Sequence, residues 1–84
     1  DYRGDKDYPD AAKQRRIEGK VTVRLIINDK GVVIKRALLQ RLGYGLDQRA
    51  LLWAKMLRFK PAIDTNDRPV TSQIVYTFTF VLPN

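Results

Sequence analysis

The sequence predicts an α+β fold, a two-layer sandwich in the order α-β-β-α-β, with a three-stranded antiparallel sheet covered on one face by two helices. Three observations lead there. Residues 70–82 alternate without a slip from Ile74 onward: Ile74, Tyr76, Phe78, Phe80 and Leu82 share one face, and Gln73, Val75, Thr77, Thr79 and Val81 the other. A period of two in aromatic and β-branched residues is a strand pattern. Two further apolar-rich runs, residues 20–28 and 32–40, flank the turn Asn28-Asp29-Lys30-Gly31 and form a hairpin. In residues 47–58 the apolar positions instead recur every three or four residues, which is the helical period.

The first element is a short helix over about residues 9–17. Pro9 suits the first helical position, Asp10 favours the positive helix end, and Gly19 offers a C-terminal stop. Ala11, Ala12 and Arg15 are set to lie over Tyr8, and Ile17 plugs into the core. In the first strand Val21, Val23, Leu25 and Ile27 share the inner face, and Gly31 supplies the positive φ that the hairpin turn needs. The register of the returning strand is open. Val33, Ala37 and Leu39 compete with Val32, Ile34 and Leu38 for the inner face, which is the mark of a bulge.

A loop with Gly43 and Gly45 precedes Asp47, which reads as the N-cap of the main helix, with Leu46 as a staple partner for Leu51. Leu46, Ala50, Trp53, Ala54 and Leu57 make its apolar stripe, and Leu51 and Leu52 lie at the margins. Pro61 disfavours helix at Lys60, and residues 64–67 form a polar turn. The last strand, residues 70–82, would span roughly 40 Å, about twice the usual length. So small a domain offers little to pair with all of it, so part of one edge is expected to stay open, a hazard unless a partner uses it.

Eighty-four residues make one domain, residues 8–84, preceded by the polar end of a linker, residues 1–7. The chain begins at Asp1 rather than Met and reads as an excised fragment, its anchor or targeting segment lying upstream. No stretch approaches the ~20 apolar residues of a membrane span. Without Cys or His there are no disulfides, no thiol chemistry and few general-base or zinc schemes. Ser72 has no His partner, Asp5, Asp7 and Asp10 lack the spacing and terminal Glu of a calcium loop, and Gly43-Tyr44-Gly45 is no phosphate loop. No enzyme, cofactor or metal is expected. The net charge is +7, with thirteen Lys/Arg against Glu18, Asp29 and Asp47 in residues 11–63, a field that attracts polyanions and acidic surfaces. These cations are scattered, which suits a solubilising shell. Nucleic acid is not expected as a partner, because Tyr76, Phe78 and Phe80 alternate onto the helix-covered face and leave no stacking platform.

Taken together, Tyr8-Pro9, Ile17-Glu18-Gly19 before Val21-x-Val23, Asp29 with Gly31, Leu46-Asp47, and Arg58-Phe59-Lys60-Pro61-Ala62 resemble the C-terminal domain of TonB-family energy transducers. The resemblance covers about residues 8–82, through the closing run from Thr77 to Leu82. It implies a periplasmic domain tethered to the inner membrane and driven by a proton-powered motor complex through its missing N-terminal region. It also implies a partner, the TonB box of an outer-membrane receptor, which adds as a strand beside the last strand so that force drives nutrient uptake. In that mode the backbone from Ser72 to Phe80 supplies affinity and Gln73, Val75, Thr77 and Thr79 supply selectivity. Four or five backbone bonds, less the ordering cost, suggest roughly micromolar binding.

Tyr8 either lines the partner's groove or packs the first helix. The chain departs from the family at two places. Leu57 stands where members often carry Trp, and Asp5 stands where a well-studied member has a Gln that helps hold the receptor segment. Two rival uses of the fold remain: a homodimer through the same last strand, and a TonB- or TolA-like scaffold in a periplasmic secretion or motility machine.

Overall fold

The computed structural model describes residues 8–82. Its elements follow the expected order: α1 (Asp10–Gln14), β1 (Gly19–Ile27), β2 (Val33–Gln40), α2 (Leu46–Met56), β3 (Ala62–Ile63), β4 (Pro69–Val70) and β5 (Ser72–Phe80). The main sheet is antiparallel with the order β2-β1-β5, so the first strand is central. β3 and β4 form a separate two-stranded arm.

The core lies between the sheet and the helices. Val21, Val23, Leu25 and Ile27 are buried along β1, Phe78 and Phe80 along β5, and Leu46, Ala50 and Ala54 along α2. The alternation of β1 and the three- and four-residue spacing of α2 bring these residues to one layer boundary. Trp53 stacks on Phe80 with ring centroids 5.6 Å apart and lies 6.2 Å from Phe78. Leu51 is half-buried and Leu52 exposed, as expected for the margins of the stripe.

Three expectations need correction, and one register left open is settled. The first helix is shorter than residues 9–17, and Gly19 does not end it. Arg16 adopts φ 52°, Arg16 N–H donates to Lys13 O and Ile17 N–H donates to Ala12 O. That pair of bonds is a Schellman closure with Arg16 in the left-handed position. It releases the chain early enough for Ile17 to fold back on Ala12, while Gly19 opens β1 with Leu42 packed against it.

A non-glycine residue in this conformation costs about 1–2 kcal/mol, and glycine's extra unfolded-state entropy takes back roughly 0.5–1. Arg16→Gly should therefore stabilise the domain by up to ~1.5 kcal/mol, seen as a thermal midpoint raised by about 4–8 °C per kcal/mol. An unchanged or lowered midpoint would show that Arg16 makes a compensating contribution. Arg15, one residue earlier, places its guanidinium 5.1 Å from the Tyr44 ring centroid.

Second, Asp47 is not the N-cap. Gly45, at φ 86°, holds that place with no side-chain bond, and its α-hydrogen side abuts Pro9. The Asp47 carboxylate accepts the backbone N–H groups of Leu42 and Gly43 at 2.9 and 3.1 Å. It ties the loop back onto the first helical turn rather than closing the helix itself.

The returning strand resolves its ambiguity by mixing the two candidate sets. Lys35 faces Ile26 and Val33 faces Ile27, which skips Ile34; Gln40 faces Thr22 and Leu38 faces Val23, which skips Leu39. Two bulges thus reverse the parity twice. Val33 and Leu38 turn to the core side, while Ile34 and Leu39 are left about half exposed at 52% and 50%. Third, the last strand is not continuous from residue 70. Pro69 and Val70 pair with Ile63 and Ala62, and pairing to β1 begins at Ser72, where the central strand runs out at Ile27.

Candidate functional site

β5 pairs with β1 over nine consecutive positions, from Ser72 opposite Ile27 to Phe80 opposite Gly19, with no register shift. Among the described residues no strand pairs with its other edge. The sheet's second edge, β2, is different. Two bulges interrupt it, Lys35 and Arg36 stand along it, and a bridge from Val32 to Arg58 covers its start. Bulges, charges and covering segments are the usual ways to blunt an edge. Here they protect β2 and leave β5 straight and unblunted.

Gln73, Val75 and Thr77 are exposed and Thr79 is half-buried on the helix-free face, with Val75 58% exposed. Ser72 begins the strand and is half-buried. Thr77 is not an isolated hydroxyl. It lies 3.4 Å from the Thr22 hydroxyl, which donates to Gln40 Oε1 at 3.2 Å, so one polar row crosses all three strands. The far end of the strand is tied down by Glu18, whose carboxylate accepts Leu82 N–H at 2.9 Å. Sequence reasoning gave Glu18 no such role. An acid in a Glu-Gly pair before a strand gives no sign of a partner 64 residues away.

Of the two readings of Tyr8, the structure supports packing. The side chain is 3% exposed, its ring meets Phe80 edge-on at 5.9 Å, and its hydroxyl donates to Ile17 O at 3.1 Å. In this conformation Tyr8 does not line the free edge. Asp5 lies outside the described residues.

Burial pushes the Tyr8 phenol pKa above its ordinary 10.0, and the Glu18 carboxylate adds to the rise. The fold therefore favours the neutral phenol. Its contribution is complete below the unfolded value and is lost as pH rises through the folded one. Tyr8→Phe should cost about 0.5–1.5 kcal/mol at neutral pH. The gap between variant and parent should narrow in urea titrations carried out above about pH 10. A gap that stays constant into alkali would mean that the hydroxyl bond is not formed in solution.

Among the described residues no group of three or more Asp and Glu side chains is placed to hold a metal ion. No described helix is long and apolar enough to cross a membrane. What the β5 edge offers is a row of main-chain donors and acceptors for another extended backbone. A family model described as Gram-negative bacterial TonB protein C-terminal matches residues 5–82. No curated protein matches the chain.

Proposed function

The chain belongs to the TonB C-terminal family, and from that premise we propose that β5 captures an extended segment of an outer-membrane receptor by strand addition. The observation behind this reading is the contrast between the two sheet edges: one bulged, charged and partly covered, the other straight for nine residues and unpaired among the described residues. Main-chain bonds give the added strand its affinity, and Gln73, Val75, Thr77 and Thr79 bias its side-chain choice. Residues 8–84 are the gripping domain and residues 1–7 the end of the linker. Beyond it, an inner-membrane anchor coupled to a proton-driven motor would deliver force across the periplasm for nutrient uptake.

The test is a titration of ¹⁵N-labelled protein with N-terminal peptides of outer-membrane receptors from the same bacterium. Saturable amide shifts should concentrate in residues 72–80, with a dissociation constant on the order of micromolar. Shifts confined to α1 and α2, with none from Gln73 to Thr79, would overturn the reading. A second copy of the chain competes for the same edge. Concentration-dependent line broadening of residues 72–80 without peptide would identify it as the occupant.

A further inference from the structure

On the helix-free face of the sheet lies an open cleft of about 520 Å³, lined by Arg24, Ile26, Ile34, Lys35, Ala37 and Gln73, with Arg36 at its side. That volume is within the range of roughly 300–1,000 Å³ of ligand clefts. The register fixes its pattern. Arg24 faces Ala37 on one rung and Lys35 faces Ile26 on the next, so the two cations occupy one diagonal and the two apolar residues the other. Ile34, the residue left over by the β2 bulge, extends the apolar part and is 52% exposed.

Among the described residues no carboxylate of the sheet compensates this charge. Strands β1, β2 and β5 contain Lys20, Arg24, Lys35 and Arg36 and no acidic residue. The described carboxylates lie elsewhere, and several are occupied: Asp47 by Leu42 and Gly43, Glu18 by Leu82, and Asp64 by Asn66 and Arg68 within its own turn. Arg36 is occupied too, donating to Leu51 O on the helix side. Arg24 and Lys35 are left as exposed cations beside apolar ground.

We propose that this cleft is a second docking surface, for an acidic extended segment of a partner protein carrying acids two residues apart and an apolar residue at the next same-face position. The spacing supports the motif. Diagonal neighbours on a sheet face stand about 7–8 Å apart, and residues i and i+2 of an extended chain about 6.6–6.8 Å apart. Two carboxylates of one strand face therefore meet Arg24 and Lys35 together, and the following apolar side chain, one step further along the same line past Lys35, reaches Ile34. Gln73 presents an amide to the segment's backbone. A nucleic acid fits this surface less well, since the lining residues include no aromatic on which a base stacks. The cleft does not depend on capture at the β5 edge.

The experiment uses the blocked hexapeptide Glu-Thr-Glu-Thr-Val-Thr with ¹⁵N-labelled protein at low salt. Saturable shifts are expected at Arg24, Ile26, Lys35 and Ala37. The dissociation constant should rise at least ten-fold when both acids are replaced by Gln, and equally in the Arg24→Gln, Lys35→Gln double variant. Both cations are exposed, so that variant should keep the parent's spectrum elsewhere. The isomer Glu-Glu-Thr-Thr-Val-Thr, with the same charge but the wrong spacing, should also bind at least ten-fold more weakly. Equal binding of the two isomers overturns the proposal, as do shifts confined to residues 72–80. Concentration-dependent dimerisation through this face without peptide, or tighter binding of a short DNA duplex than of the peptide, would replace the occupant and also overturn it. Binding of receptor peptides at β5 by the double variant is expected to persist. Edge capture and cleft docking can thus fail separately.

Discussion

Replacing Phe78 by Ala should leave the domain close to unfolded. The ring is fully buried between the layers, with Tyr76 at 4.9 Å and Trp53 at 6.2 Å between ring centroids, and it lies opposite buried Val21. Removing a buried Phe costs about 3–5 kcal/mol, because lost transfer energy and the cavity left behind add together. Domains commonly have only about 5–15 kcal/mol in total, and one this small sits toward the lower end. Urea unfolding followed by Trp53 fluorescence gives a direct readout, since Trp53 stacks on the neighbouring Phe80. The midpoint should fall sharply in Phe78→Ala and hardly move in Val75→Ala, which alters the helix-free face of the same strand. Similar losses for the two would mean that the helix layer is not what holds the sheet.

The largest expected effect on binding comes from altering the peptide rather than the protein. A receptor segment added to β5 directs alternate amides toward the domain and the rest away. Methylating the nitrogens of one parity should remove the bonds that join the strands, each worth a net 0.5–1.5 kcal/mol or so, and lower affinity by about a hundred-fold for three or four bonds. Methylating the other parity should change affinity little. This leaves the protein untouched, whereas Thr77→Pro risks losing the pairing with Thr22 as well as the free edge. Calorimetry of the two methylated series gives the comparison. Equal losses, or none, would mean that side chains rather than backbone hold the segment.

Most of the fold was legible because its periods are clean. The inner row Val21, Val23, Leu25 and Ile27 and the stripe Leu46, Ala50 and Ala54 are buried as their spacing requires. The misjudged places are those where one residue acts on another far away in sequence. Asp47 looks like a cap by position, but the loop it holds settles its role. Arg16 takes a backbone conformation usual for glycine because Ile17 needs to reach the core. The strand β2 shows both sides of this limit. Its mixed pattern announced a bulge, but two parity reversals are visible only against the partner strand. At the candidate site a free edge was foreseeable from the small number of strands, but not from the length given to the last one, since β5 has nine residues and pairs with β1 along all of them. The cleft was not, because Arg24 and Lys35 become neighbours only through the hairpin register.

The uninterrupted seam between β1 and β5 bears on how the molecule withstands tension. Under the proposed function, a pull from the side of Tyr8 would enter the central strand at Gly19, and the opposing pull would reach β5 through the captured segment. The two strands would then be drawn lengthwise past each other. Every rung from Phe80 to Ser72 would share the strain at once, whereas a tug across the sheet would peel them open one by one. Glu18, gripping Leu82 just past the seam, stands where such sliding would begin.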